Sequence, residues 1–395
     1  MADEFAPIRS TGIGSFPGTD LAEALKINFA ECPELPYLPE LPARGVGSGM
    51  IGRGVAVLSG LSADLQPAGW RLTDAPGRDQ LRARATLRDD LDQLEEAVQD
   101  YAGPFKIAFC GPWTLSASVE RPRGDRTLAD HGARRDLGQS LAEGIGELVV
   151  DLGRRLPQLE LIVQLDEPLL PAVLAGEIPT ASGFSHHRRV DLPEVSERLT
   201  DVVTAITRGL PIPGGADLSG QPAVSAEQSG TPLEVAERRP QTEAETPTGA
   251  SATGSEVLHS DVVAALPRTW LHSCAPNVPV KLIKDAGLGG VAVDLDQLRT
   301  GDWDVIGQAM TDGLWLGAGA LSTATGEATQ RQWSADRVAE RVLRATRALG
   351  LEPDVAGRII LTPACGLARF DQRSAVNALR AVHKAADIVT DQLAD

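Results

Sequence analysis

Cysteine is scarce in this chain of 395 residues: four thiols, Cys32, Cys110, Cys274 and Cys365, lie far apart and form no CxxC pair. That excludes a dense disulfide framework and the paired-cysteine pattern of closed structural zinc sites. Aromatic residues make up 4% of the chain, with two Tyr, so the core must be mainly Leu, Val, Ile and Ala. Lys and Arg are outnumbered, 37 against 54 Asp and Glu, and the resulting net charge of -17 disfavours nucleic acid or an anionic membrane surface as partner. No apolar run is long enough to cross a bilayer, and residues 1–5 hold no basic region leading into an apolar one. The expected location is the cytoplasm, with the thiols reduced.

What is present is a large apolar fraction, 42%, arranged in alternating periods. Short apolar runs near 11–15, 36–39, 106–110, 159–165, 268–272, 290–294, 314–318 and 358–362 are candidate strands. Helical spacing lies between most of them, over 20–29, 81–101, 136–156, 254–266, 278–286, 304–312, 335–349 and 374–393. Prolines punctuate 33–42 and allow at most a short strand around 37–38. Eight strands alternating with helices predict an α/β (β/α)8 TIM barrel as a single catalytic domain over 1–395. Residues 213–255, rich in Gly, Pro, Ser, Thr, Ala, Gln and Glu, read as a flexible low-complexity insertion within it.

The candidate chemistry sits where strands would end. Thr269-Trp-Leu-His-Ser-Cys274 places His272 and Cys274 on the same side of an extended segment. Cys365 ends Ile359-Ile-Leu-Thr-Pro-Ala-Cys365 and Asp294 ends Gly290-Val-Ala-Val-Asp294, completing a four-residue set suited to Zn2+. Two thiolates and a carboxylate nearly neutralise the ion or overcompensate it. Such a site generates hydroxide poorly but holds a further thiolate well, and the matching chemistry is attack of sulfur on an electrophilic carbon. Asp166 and Glu167 follow a buried-looking strand, and they either face a cleft as catalytic and substrate-binding groups or cap the next helix. Gly12, Gly14 and Ser15 form a turn that either approaches a ligand or simply reverses the chain. Cys110 reads as core, and His186 with His187 as a solvated loop.

Five motifs in order carry a family resemblance: Ile13-Gly-Ser-Phe-Pro17, Gly111-Pro-Trp-Thr114, Gln164-Leu-Asp-Glu-Pro168, His272-Ser-Cys274 and Pro363-Ala-Cys-Gly-Leu367. Together they resemble the C-terminal catalytic barrel of the cobalamin-independent methionine synthase family, within the superfamily that includes uroporphyrinogen decarboxylase. The resemblance implies zinc on His272, Cys274 and Cys365. It also implies homocysteine contacts from Ile13, Gly14, Ser15 and the Asp166 carboxylate, the last on the substrate amine. Asp294 stands where the family usually has Glu. The family's folate side is not matched: Gly317-Ala-Gly-Ala-Leu-Ser322 lacks its histidine, Ser118 stands near its stacking tryptophan, and Ala172 replaces its acidic contact. The implied activity is a zinc-dependent S-methyltransferase acting on a thiol, homocysteine first. Its donor is expected to be something other than folate polyglutamate, a methylcorrinoid or a corrinoid partner protein being the natural replacement. The alternatives are another thiol acceptor, a lyase or decarboxylase on the same barrel, or a thiol- or corrinoid-binding barrel without turnover.

Overall fold

The computed structural model describes residues 7–210, 265–324 and 333–394, all within one compact unit. The expected insertion, 213–255, and most of the expected helix 254–266 lie outside the described residues.

Seven strands form a curled parallel sheet. They are β1 (Arg9–Ser10), β4 (Gly103–Cys110), β5 (Leu159–Asp166), β6 (Thr269–Ser273), β7 (Gly290–Asp294), β8 (Trp315–Leu321) and β9 (Ile359–Pro363), in the order β1-β9-β8-β7-β6-β5-β4. Helices such as His131–Arg155 and Gln372–Ala394 separate them and pack on the outer face. The result is TIM-barrel-like but not a fully closed ladder. Between the two sheet edges, where an eighth strand was expected, lies the segment 36–40. It pairs through single bridges, Tyr37 with Lys106 and Ser15 with Glu40. The Leu38 N–H donates to the Lys106 carbonyl at 2.9 Å, and that of Glu40 to the Gly14 carbonyl at 3.0 Å. Pro36, Pro39 and Pro42 supply no N–H, so this segment cannot build a continuous ladder. The expected strand at 11–15 likewise shrinks to Arg9–Ser10 plus one bridge.

Several elements escaped the sequence reading, among them the short helices Met50–Ala56 and Pro353–Ala356. A hairpin, β2 (Ser62–Gln66) and β3 (Gly69–Thr73), turns at Pro67-Ala68 between two helices. The helix Leu192–Gly209 was also missed, although Val195, Leu199, Val202, Val203 and Ile206 are buried at helical spacing.

Strand alternation sorts the interior. Ile13, Leu35, Ile162, Trp270, Ala292, Trp315 and Ile360 form a small apolar cluster of their own, separate from the main core beneath the helices. Gly317 makes room for Trp270, since a Cβ there would stand 2.9 Å from the indole ring. Two and four residues beyond Ile162, the same face of β5 carries Gln164 and Asp166. Two residues beyond Trp270, β6 carries His272. The apolar floor thus hands over to polar groups at the C-terminal ends of the strands. Among the described residues no helix is long and apolar enough to cross a membrane.

Candidate metal centre

His272 on β6, Cys274 just past it and Cys365 two residues past β9 come together, one ligand atom from each lying within 4.8 Å of the others. The two sulfurs are 3.3 Å apart. His272 is buried, and neither ring nitrogen has a hydrogen-bond partner. A buried imidazole without partners is costly, and a metal ion would satisfy it. One soft and borderline donor set, two thiols and an imidazole, therefore fits a metal such as zinc. The hydrogen bond shared by the two sulfurs holds Cys365 well below the usual thiol range, with His272 adding to the effect. The same contact pushes Cys274 up.

Asp166 stands opposite His272 in the β5–β6 register. Its Oδ1 accepts from Gln164 Nε2 at 2.7 Å. Burial raises its pKa, while His272, Gln164 and Lys106 act in the opposite direction. Lys106 is the main residue that sequence reading missed here. Its ammonium is buried, donates to the Ile13 carbonyl at 2.8 Å and to Gln164 Oε1 at 2.7 Å, and lies 5.2 Å from the centre of the Tyr37 ring. Burial lowers its pKa to about 8. The signal was a lysine inside the apolar run Phe105-Lys-Ile-Ala-Phe109, which is costly unless its charge is met by partners.

A second buried network adjoins the first. Arg44 grips Asp90 through two bonds of 2.7 Å, and Arg53 donates to Asp90 at 3.2 Å and to the Pro39 carbonyl at 2.9 Å. Arg53 Nη1 reaches within 4.0 Å of Glu40, whose Oε1 has no hydrogen-bond donor. Burial lifts Glu40 to about 7 against the pull of Arg53, with Asp166 adding to the rise and Lys106 opposing it.

The other expected site residues fall differently. The Ile13 carbonyl is occupied by Lys106 and Gln164, and that of Gly14 by the Glu40 N–H. Ser15 lies against the backbone beside Cys365: its carbonyl accepts from the Leu367 N–H at 2.8 Å, and any side chain at Gly366 would collide with its hydroxyl. Glu167 points away from the metal-ligand group. Its oxygens accept from Trp113 N at 2.8 Å and from Thr114 N and Oγ1, both at 2.7 Å, anchoring the short helix Pro112–Ser116 to the end of β5. Asp294 is absent from the convergent group. Its Oδ1 accepts from Asp296 N at 2.9 Å and caps the turn Leu295–Gln297. His187, expected in solvent, is buried and lies 3.3 Å from Asp125. Cys110 is a buried core thiol. Ser118 donates back to the Thr114 carbonyl at 2.7 Å.

A parallel α/β sheet with a His-Cys-Cys group at its strand ends is the class this geometry defines. Among solved structures, the chain is similar in fold to a B12-independent methionine synthase from Shewanella sp. W3-18-1, determined with selenomethionine. The alignment covers 98% of this chain and 99% of that one, with a TM-score of 0.55 at 12% identity. No protein-family model and no curated protein matches the chain.

Proposed function

We propose that the protein is a zinc-dependent S-methyltransferase that methylates a thiol, with homocysteine as the leading acceptor. The observation carrying this reading is the convergence of His272, Cys274 and Cys365, with both imidazole nitrogens unpartnered, beside the buried carboxylate of Asp166. The fold likeness to a methionine synthase supports the same class of reaction.

Zn2+ held by His272, Cys274 and Cys365 would lower the pKa of an incoming thiol while leaving its sulfur nucleophilic. The remaining work belongs to the chain. Asp166 is oriented by Gln164 and meets the ammonium of an amino-acid thiol. Lys106 fixes Gln164 and so transmits a rigid position to Asp166. The apolar floor of Trp270 and Trp315 excludes water below the reacting sulfur. The acceptor sulfur forms a bond to the methyl carbon as the donor–methyl bond breaks. The donor leaves with the electron pair, and the thiol proton passes to solvent. His272, Cys274 and Cys365 would supply three ligands to such an ion, and Asp294, engaged in its own turn, would not be among them.

Among the described residues, the ends of β7 and β8 offer Asp294, engaged in its own turn, and the small residues Gly317 to Ala320, with no further cysteine or histidine. That bareness favours a donor bringing its own recognition surface, such as a methylcorrinoid on a partner protein, over folate polyglutamate. The test supplies zinc-loaded protein with homocysteine and, separately, methylcobalamin or methyltetrahydrofolate. Methionine formed from methylcobalamin supports the reading. No methyl transfer from either donor, at one bound zinc per chain, overturns it.

A further inference from the structure

Phe184 is 97% exposed, the most exposed of the large apolar side chains among the described residues. Its loop is nevertheless rigidly built. Pro179 bridges His186 antiparallel. The Thr180 N–H donates to the Ser185 carbonyl at 2.9 Å, and the His187 N–H to the Ile178 carbonyl at 2.8 Å. Asp125 clamps the base, accepting from Ala181 N at 2.8 Å and pairing with His187. These bonds prevent the ring from turning inward. Leaving it in water forgoes the burial of a large aromatic side chain. Arg188 and Arg189 follow, both exposed and without an ion pair among the described residues.

The same stretch leads into a groove of about 560 Å³. Leu192, eight residues beyond Phe184, already lines it at 59% exposure, together with Val280, Leu298 and Val305, the last 46% exposed. Asp285 and Asp302 on its rim outnumber Lys281.

We propose that Phe184 of one copy seats in this groove of a second copy, with the reciprocal contact closing a two-fold dimer. The groove offers an apolar floor for the ring, and since Asp285 is paired with Lys281, Asp302 is the rim carboxylate left to meet Arg188 and Arg189, so charge favours the chain's own loop. Knob and groove share one stretch of chain, from Phe184 to Leu192, and in a two-fold dimer each copy supplies both. A small planar ligand is the poorer occupant of Phe184, because a ligand site encloses most of its guest and no wall surrounds this ring.

Sedimentation equilibrium of the full chain at micromolar concentration tests this. Wild type is expected at twice the chain mass. Phe184→Asp and Val305→Asp should each weaken association by about 30-fold or more; both sites are exposed, and an unchanged thermal midpoint shows that folding is intact. Each variant lacks one partner of both contacts, but a mixture of the two restores one intact contact, so mixing should recover dimer. A monomeric wild type overturns the proposal. So does a dimer indifferent to both substitutions, or a mixture no more associated than its components.

Discussion

Two arcs of the sheet's C-terminal rim contrast sharply. The ends of β5, β6 and β9 gather Asp166, His272, Cys274 and Cys365, with buried polar atoms lacking partners. The ends of β7 and β8 present Asp294, satisfied by its own turn, and a run of glycine and alanine. One arc stores unmet coordination and charge; the other shows none among the described residues. A contrast on a smaller scale sits at the end of β5. Asp166 shares the inward face with Gln164, while Glu167, one residue on, faces outward and has all its bonds made within the fold. Alternation along a strand is what separates the acid beside His272 from the one built into the surrounding fold.

The sharpest way to break this contrast is at Asp166. Asp166→Asn should lower kcat/KM for thiol methylation by about 30-fold or more, the cost of removing a buried charge from its partner, with metal content unchanged. Equal activity in the variant would move Asp166 out of the site. Glu167→Gln should instead destabilise the fold by about 1–3 kcal/mol, because it turns an amide nitrogen toward N–H donors; urea unfolding measures it.

The buried acids also set a pH dependence. Glu40 titrates near 7 in the folded chain and about 4.3 when unfolded. Between those values the folded state binds more protons, so stability falls as pH rises through this window. Glu40→Gln should flatten that slope in unfolding measured at pH 5 and pH 7. A slope identical to wild type would show that Glu40 stays ionised. The smallest effect belongs to the silent arc: Asp294→Asn should leave metal stoichiometry unchanged and alter stability by no more than about 0.5 kcal/mol. Metal loss in that variant would restore Asp294 as a ligand.

Much of this was legible in the sequence, for identifiable reasons. The strands β4 to β9 announced themselves because parallel, doubly covered strands are nearly continuous apolar runs. His272 and Cys274 announced themselves through their spacing on one such strand, and Cys365 through its place after another. What sequence could not supply was direction in space. The choice between cleft and cap for the pair Asp166 and Glu167 stays open in the sequence, and the fold shows only that Glu167 is bonded to the start of the preceding short helix while Asp166 is bonded to Gln164. Asp294 ends its strand like a ligand, yet the N–H two residues on captures its carboxylate. Glu40 and Arg53 were hidden because a charged residue is ordinary in a list of residues and becomes informative only once its burial is known, whereas Lys106 carried a signal in the apolar run around it. The prolines at 36, 39 and 42 did signal that an eighth strand would be irregular.

The central claim is that His272, Cys274 and Cys365 form a metal centre open to a thiol. Elemental analysis of the chain purified under reducing conditions, beside Cys365→Ser, tests it most directly, with X-ray absorption as homocysteine is added. The account predicts about one zinc per chain, lost in the variant, and one further sulfur at the metal when homocysteine binds. A wild-type chain that neither contains nor takes up zinc would contradict it.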